Sequence, residues 1–209
     1  MTRQDVEQLH QLMQHCFKHD GPYHLSSGLT SKYYYDGKLG TLHPPTVWLA
    51  ANILVDVVLR SGAEAVGGRE AGSIPISDAI GIAAHLRGEF LPSFFIRKEA
   101  KAHGTRSDVS QAHFNGEELL APGRHVAIVD DVITTGRSIQ EAIDAVEKKG
   151  CVVTAVIALV ERHESKGMLR GRTYPVIRIF YTDEDGNLFI DEEFVRRAEA
   201  ASRSRILSR

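Results

Sequence analysis

The stretch that decides the fold is Val126-Ala127-Ile128-Val129-Asp130-Asp131-Val132-Ile133-Thr134-Thr135-Gly136-Arg137-Ser138. Its first four residues are apolar and predict the end of a buried strand at residues 124–129. Two adjacent carboxylates follow, and a turn rich in hydroxyl groups then leads into a helix predicted at residues 138–149. A strand, a short loop and a helix in this order indicate a unit whose next strand runs parallel to the first.

The same order of elements occurs twice in the chain. Strand, loop, helix and strand are predicted at residues 63–66, 67–72, 75–86 and 91–96, and again at residues 124–129, 130–136, 138–149 and 151–160. Nearly continuous apolar strands are typical of a parallel sheet that helices cover on both faces. The sequence therefore predicts an α/β fold with a central parallel sheet flanked by helices. Such sheets bind ligands at the carboxyl ends of their strands.

The N-terminal part belongs to the same single predicted domain, residues 1–209. Apolar residues at helical spacing predict a first helix that follows a Thr2 cap. A second helix is predicted to begin at Pro44 and to end at Gly62. Between these helices, residues 25–40 favour turns and a short strand with exposed aromatic side chains.

Three further segments lie between and after the two units. Residues 99–122 are polar and have no apolar period before Leu119, and a connection this long is usually functional or mobile. Strands are predicted at residues 176–181 and 188–190. The charged tail, residues 192–209, favours a helix that is solvated or contacts a second subunit.

The composition excludes several classes of protein. The 209 residues carry 25 basic and 27 acidic side chains, a net charge of −2, which argues against a surface that binds nucleic acid or anionic membrane as a whole. Cys16 and Cys151 have no metal-ligand spacing and indicate a reducing compartment. Neither a signal peptide nor an apolar run of membrane-spanning length is recognisable. We therefore expect a cytoplasmic protein without nucleic-acid or membrane partners.

The deciding stretch also indicates a binding site. Backbone amides at the start of a helix, together with three hydroxyl groups and Gly136, suit a phosphate group. Asp130 and Asp131 would repel a phosphate, so they suit sugar hydroxyls or a hydrated Mg²⁺ ion. Together these features predict a ribose 5-phosphate site. The alternative is that both carboxylates are turn and capping residues of an ordinary unit of this kind, and neither GxxxxGK[ST] nor GxGxxG occurs.

A concentrated basic segment provides a second signal. Residues 97–106 carry four fixed positive charges and one negative charge, directly after a predicted strand. A mobile cationic loop can close over a polyanionic substrate and neutralise a leaving group. A solvated basic loop is the ordinary alternative. The glycine-rich turn that begins at Gly67 offers amide groups, and Ser73 a hydroxyl, for a second anion at a neighbouring strand end.

These motifs resemble a known enzyme family. Residues 126–138 resemble the phosphoribosyl-diphosphate signature of type I phosphoribosyltransferases. Three segments resemble those of orotate phosphoribosyltransferases, namely the mobile loop Arg97-Lys98-Glu99-x-Lys101-x-His103-Gly104, the hood segment Ser27-Gly28-x-x-Ser31-x-Tyr33-Tyr34-Tyr35-Asp36, and Glu161-Arg162-His163-Glu164 in place of Asp-Arg-x-Glu. The resemblance spans about residues 25–167. It implies an N-terminal helix and small hood at residues 1–40, an α/β core at 63–181 and a mobile catalytic loop at 99–116.

The resemblance also implies an activity and its residues. A glycosyltransferase of this family transfers the ribose 5-phosphate of phosphoribosyl diphosphate to orotate in pyrimidine biosynthesis, giving orotidine 5′-phosphate and pyrophosphate. The implied catalytic residues are Lys101, His103 and Asp131. The implied phosphoribosyl-diphosphate site consists of Arg97, Lys98, Lys101, His103, Asp130, Asp131, Val132, Ile133, Thr134, Thr135, Gly136, Arg137 and Ser138. The implied orotate site consists of Tyr34, Tyr35, Thr134 and Arg162.

The implied cofactor is Mg²⁺, held mainly by diphosphate and ribose oxygens, so no set of protein metal ligands is expected. The family also implies a homodimer in which Lys101 and His103 reach the neighbouring subunit's site. This chain has Ser26 where the family often has Lys, Arg69 where Pro is common and Glu161 where Asp is usual. Two alternatives stay open, transfer to another base and a non-catalytic regulator that binds phosphoribosyl diphosphate.

Overall fold

A computed structural model describes residues 1–24, 30–98, 109–111, 113–114, 117–165 and 173–207 of the chain. The helices in these ranges are α1 (Arg3–Gln14), α2 (Gly37–Thr41), α3 (Pro44–Arg60), α4 (Ser73–His85), α5 (Arg137–Lys148) and α6 (Glu192–Leu207). The strands are β1 (Phe17–Lys18), β2 (Tyr23–His24), β3 (Thr30–Ser31), β4 (Tyr34–Tyr35), β5 (Ala65–Arg69), β6 (Ser93–Ile96), β7 (Val109–Gln111), β8 (His113–Phe114), β9 (Glu117–Glu118), β10 (His125–Ile133), β11 (Val152–Glu161), β12 (Val176–Thr182) and β13 (Leu188–Ile190). None of these helices is both long and apolar enough to span a membrane.

The central sheet of the described chain has seven strands in the order β13-β12-β11-β10-β5-β6-β7. The five strands from β12 to β6 pair in parallel, and the two edge strands are antiparallel to their neighbours. The predicted α/β fold with a central parallel sheet is therefore confirmed. The chain moves outward from β5 to β6 and then returns to place β10 on the other side of β5. Ligands of open parallel sheets bind at such a switch point, here between β5 and β10.

Two hydrophobic clusters cover the two faces of the sheet. Side chains along β10 alternate between them, since Ala127 and Val129 belong to the cluster with α1, α3 and α4 while Val126 and Ile128 belong to the cluster with α5. This period of two is expected for a strand that is buried on both faces. The packing fixes the ends of β5 and β10, and therefore the start of α5, in one place.

The strand β10 is longer than predicted. The chain continues as a strand through Ile133, so Asp130 and Asp131 lie in the last part of β10 and the loop shrinks to residues 134–136. The reason is that β11 is ten residues long and supplies parallel partners as far as Ile133, which pairs with Glu161.

The strand β5 also extends beyond its predicted end. Gly67 and Gly68 pair with Phe94 and Phe95 of β6, so they lie in the sheet and not in a turn. A Cβ atom on Gly67 would lie 2.1 Å from the carbonyl oxygen of Phe94. The glycine therefore permits close approach of two strands, and the turn itself is limited to residues 70–72.

The N-terminal segment forms a small hood with a largely buried aromatic cluster. Strand β4 pairs antiparallel with β1, and the rings of Phe17 and Tyr35 lie 4.9 Å apart. The expectation of exposed aromatic side chains is wrong for Tyr33 and Tyr35, which are buried, and it holds for Tyr34. The predicted cap of the first helix is confirmed, because Thr2 and Asp5 form a reciprocal capping box at α1.

Candidate active site

The candidate site lies at the carboxyl ends of β5, β10 and β11. Helix α5 begins at Arg137, directly after the three-residue turn at the end of β10, so its first amide groups lie at this edge. Gly136 precedes the helix with φ 71°, a left-handed conformation that favours glycine. Thr135 and Arg137 are exposed, while Thr134 and Ser138 are half-buried. The hydroxyl groups and amides that were predicted to hold a phosphate are therefore brought together.

Asp130 ties the end of the strand to the start of the helix. Its Oδ2 accepts a hydrogen bond from the Ser138 hydroxyl at 2.9 Å, and its Oδ1 accepts one from the Asp131 amide at 3.0 Å. The residue is only 6% exposed. Burial raises the pKa of Asp130 well above its usual range, and the neighbouring charge of Asp131 raises it further.

Asp131 is enclosed by glycine backbone on two sides. A Cβ atom on Gly37 would lie 1.9 Å from one carboxylate oxygen of Asp131, and one on Gly72 would lie 2.5 Å from the other. Any side chain at either position would displace the carboxylate. Asp131 is 9% exposed, and burial raises its pKa as well. Helix α2 of the hood and the turn after β5 thus meet at the second acidic residue.

The turn after β5 is connected to its neighbours by charged side chains. Arg69 Nε lies 2.6 Å from Glu141 Oε2 in α5, and the other oxygen of Glu141 accepts a hydrogen bond from Arg137 Nε at 2.8 Å. Glu70 accepts a hydrogen bond from the amide of Lys98 at 2.7 Å. The peptide bond between Glu70 and Ala71 is cis. Arg69 stands where the family commonly has proline, and its contact with Glu141 joins the end of β5 to α5.

The basic segment begins beside this turn. Arg97 donates a hydrogen bond to the Ser110 hydroxyl of β7 at 3.0 Å, and its guanidinium lies 5.1 Å from the ring centre of Phe95. Lys98 is exposed. Lys101 and His103, the predicted catalytic residues of the loop, lie outside the described residues.

Arg162, the predicted carboxylate ligand, has several protein partners. It is 4% exposed, lies over the ring of Tyr33 at 4.4 Å and donates to that residue's hydroxyl at 3.1 Å. One terminal nitrogen donates to Glu164 Oε1 at 2.7 Å and to the Ser31 hydroxyl at 3.4 Å. Glu161, which stands where the family usually has Asp, pairs with Arg178 of β12.

The two tyrosines predicted near the base differ in environment. Tyr34 is exposed, and its ring centre lies 5.5 Å from that of Tyr23. Tyr35 is buried, and its hydroxyl has no hydrogen-bond partner in the described part of the chain. Burial and the nearby charge of Asp131 raise the pKa of Tyr35 well above its usual range.

Sequence reasoning did not assign Gly37 or Glu141 to the site, and it placed Gly72 only in the glycine-rich turn predicted at residues 67–72. No local signal puts either glycine against Asp131, because that contact depends on how the hood and the β5 turn approach it. Glu141 had a weak one, since it follows Arg137 by four residues. Within the described ranges, no group of three or more His, Cys, Asp or Glu side chains could hold a metal ion.

The sequence is also similar to those of known proteins. The family profile described as "Phosphoribosyl transferase domain" matches residues 69–186. The orotate phosphoribosyltransferase of Nostoc sp. is 39% identical over 145 residues, covering 69% of this chain and 67% of its own length. That of Streptomyces coelicolor is 35% identical over 188 residues, covering 89% of this chain and 99% of its own length.

A solved structure gives the same result for the fold. The crystal structure of orotate phosphoribosyltransferase from Mycobacterium tuberculosis superposes with a TM-score of 0.67 at 28% identity, covering 84% of this chain and 97% of that chain. The chain therefore belongs to the phosphoribosyl transferase domain family and, within it, to the orotate phosphoribosyltransferases.

Proposed function

We propose that the chain transfers the ribose 5-phosphate group of phosphoribosyl diphosphate to orotate, forming orotidine 5′-phosphate and releasing pyrophosphate. One observation carries the proposal, namely that the short turn before α5 lies next to the acidic pair at the switch point of a parallel sheet. A phosphate site beside a diol acceptor suits a ribose 5-phosphate group. The names of the relatives supply the identity of the base.

The 5-phosphate binds at the start of α5 in this proposal. The amides of the first helical turn and the hydroxyls of Thr134, Thr135 and Ser138 surround it, and Val132 and Ile133 position the turn through the strand. Asp130 and Asp131 accept hydrogen bonds from the ribose hydroxyls. The Asp130 carboxylate already holds Ser138 at 2.9 Å, which supports a common geometry for both halves of the group.

The leaving group is handled by the basic segment. As the bond between the anomeric carbon and diphosphate breaks, positive charge develops on the ribose ring and negative charge on the leaving oxygen. Lys101 and His103 donate to that oxygen, with Arg97 and Lys98 at the base of the loop. The ring nitrogen of anionic orotate then bonds to the anomeric carbon, and this nucleophile needs placement but no strong base.

We propose Mg²⁺ as the cofactor. Mg²⁺ prefers oxygen ligands, and the diphosphate and ribose of the substrate would supply most of them. When bound, the ion would supply positive charge against the negative charge that develops on the leaving group. Asp130 and Asp131 face the ribose side and orient the hydroxyls.

The orotate subsite is proposed around Arg162, Thr134, Tyr34 and Tyr35. Arg162 binds the carboxylate of orotate, and Thr134 binds a ring carbonyl. Because Arg162 is paired with Glu164 at 2.7 Å, orotate must take the place of that carboxylate or share the guanidinium with it. Tyr34 is exposed and can cover one face of the pyrimidine.

We also propose a homodimer with shared sites, in the cytoplasm. Trp48 on α3 and Ile82 on α4 are large exposed apolar side chains, as are Leu86 and Phe90 just beyond α4. Helices α3 and α4 pack together, so these side chains lie on neighbouring elements. Exposed apolar side chains on adjoining helices suit an interface with a second copy.

The test of the function is an assay of pyrophosphate release with phosphoribosyl diphosphate, Mg²⁺ and one base at a time. We expect turnover with orotate, and at most traces with adenine or uracil. Asp131→Asn serves as the inactive control. Turnover with another base alone would place the chain elsewhere in the family. Tight binding of phosphoribosyl diphosphate without turnover of any base would favour a non-catalytic regulator.

A further inference from the structure

Two adjacent residues connect the turn after β5 to both of the other anion-binding segments. Arg69 pairs with Glu141 of α5 at 2.6 Å. Glu70 accepts the amide hydrogen of Lys98, at the start of the basic segment, at 2.7 Å. In the proposed function the start of α5 holds the 5-phosphate and the basic segment holds the leaving oxygen. The turn after β5, which the sequence predicts to offer amide groups to a second anion, is then the place for the diphosphate.

The position of Glu141 needs an explanation, because a carboxylate near two phosphate sites weakens anion binding by repulsion. Its two oxygens are divided between Arg69, at 2.6 Å, and Arg137, at 2.8 Å. The Arg137 side chain is 85% exposed, whereas the Arg69 and Glu141 side chains are 23% and 31% exposed. The more enclosed contact is therefore the one that joins two different elements, β5 and α5.

We propose that Arg69, Glu70 and Glu141 form a brace, a set of positioning residues that fixes the distances between the three anion-binding segments. The inference rests on the proposed function, since it concerns how that site holds phosphoribosyl diphosphate. The guanidinium of Arg69 serves the substrate indirectly. It holds the turn against α5 and does not contact the diphosphate itself.

The brace matters for a ligand that spans both ends of the site. Phosphoribosyl diphosphate places one anionic group at the start of α5 and the other at the β5 turn. It gains its full affinity only if both subsites stand at the right separation before it binds. Ribose 5-phosphate and pyrophosphate each occupy one subsite and are insensitive to that separation. Loss of the contact between Arg69 and Glu141 should therefore weaken the spanning ligand alone.

The test measures the affinity of each variant for phosphoribosyl diphosphate, ribose 5-phosphate and pyrophosphate by calorimetry, with Mg²⁺ present. Glu141→Gln and Arg69→Gln should each weaken phosphoribosyl diphosphate by about fivefold or more. Both fragments should change by less than about twofold. The double variant should match either single variant, because each removes the same contact. The KM for phosphoribosyl diphosphate should rise while the KM for orotate stays constant.

Simple electrostatics predicts a different pattern. Removing the Glu141 carboxylate would tighten binding of all three anions, and removing Arg69 would weaken all three. Either pattern overturns the brace, as does an unchanged affinity for phosphoribosyl diphosphate. Glu70→Ala separates the two halves of the brace. It should weaken phosphoribosyl diphosphate and pyrophosphate, which contact the loop and the turn together, and should leave ribose 5-phosphate unchanged.

Glu64→Gln is the matched control. Glu64 also pairs with an arginine, Arg124, at 3.0 Å, and it accepts a hydrogen bond from the backbone amide of His125 at 3.0 Å. These contacts lie at the amino ends of β5 and β10, away from the candidate site. The Glu64→Gln variant should leave all three affinities unchanged. Retained binding of ribose 5-phosphate shows that a variant is folded. A wild type that binds phosphoribosyl diphosphate without turning over orotate contradicts the proposed function alone. A wild type that does not bind it overturns both proposals.

Discussion

Asp130 is a buried carboxylate at the candidate ligand-binding site. Two hydrogen bonds, from the Ser138 hydroxyl and the Asp131 amide, do not offset its burial, so its pKa is raised. The folded state therefore holds a proton more tightly than the unfolded chain does. The contribution of protonated Asp130 to the free energy of unfolding is fully present below the ordinary aspartate pKa of about 3.9. It falls as the pH rises toward the higher pKa that Asp130 has in the folded state. At neutral pH the carboxylate destabilises the fold, which is common for functional groups.

Asp130→Asn should therefore stabilise the unliganded protein and abolish transfer. The amide keeps the shape and removes the buried charge, so the midpoint of urea unfolding at pH 7.5 should rise. The dependence of that midpoint on pH should become shallower. A variant less stable than the wild type at pH 7.5 would show that the hydrogen bonds of the carboxylate outweigh its burial.

The sequence predicted which residues belong to the candidate site better than it predicted which side chains they contact. Asp130, Asp131 and the hydroxyl turn follow one another in the chain, and the structure places them side by side. The enclosure of Asp131 by Gly37 and the pairing of Arg69 with Glu141 join distant segments. Nothing local in the sequence specifies such contacts, because they arise only when the sheet and hood are assembled.

Among the elements, the turn between β10 and α5 depends most on its backbone. Gly136→Ala places a Cβ atom at φ 71°, which costs about 1–2 kcal/mol for a left-handed residue. Relaxing that strain shifts the first amides of α5. We expect binding of ribose 5-phosphate to weaken by about tenfold or more, as measured by calorimetry.

Gly123→Ala is the control for this prediction. Gly123 has φ 82°, and a Cβ atom there would meet nothing within 4 Å. Gly123 precedes β10 at the amino ends of the parallel strands, away from the candidate site. The Gly123→Ala variant should therefore carry a similar stability cost with unchanged ligand affinity. An equal loss of affinity in both variants would mean that general destabilisation, and not the geometry of the turn, weakens binding.

The elements themselves were largely predictable and their ends were not. The apolar runs identified β10 and β11, yet both acidic residues were assigned to a loop. A carboxylate is unusual inside a strand, and only the partner strand β11 reveals that the ladder continues to Ile133. Gly67 and Gly68 were likewise assigned to a turn, whereas both lie in β5 and Gly67 permits the close approach of that strand to β6.

At the scale of the whole molecule, the proposed dimer makes a prediction about mixtures. Lys101→Ala and Asp131→Asn should each be inactive and normally folded. If Lys101 reaches the partner's site, mixed dimers regain one intact site, and exchange at equal concentrations should restore roughly a quarter of wild-type activity. Pyrophosphate release after mixing measures this recovery.

A mixture of Lys101→Ala with His103→Ala provides the control, since both changes lie in the same donated loop and leave no intact site. Recovery in that mixture, or none in the first, would contradict donation between subunits. Sedimentation should show a dimer in every case. The apolar side chains on α3 and just beyond α4, such as Trp48 and Phe90, are the surface proposed for it.

The central claim is that the end of β10 and the start of α5 together hold the phosphoribosyl group. A crystal structure with phosphoribosyl diphosphate and Mg²⁺ tests it most directly. The account predicts the 5-phosphate within hydrogen-bond distance of the first amides of α5 and the hydroxyl of Ser138, with the ribose hydroxyls facing Asp130 and Asp131. A 5-phosphate bound at the β5 turn instead, or ribose hydroxyls directed away from both carboxylates, would contradict it.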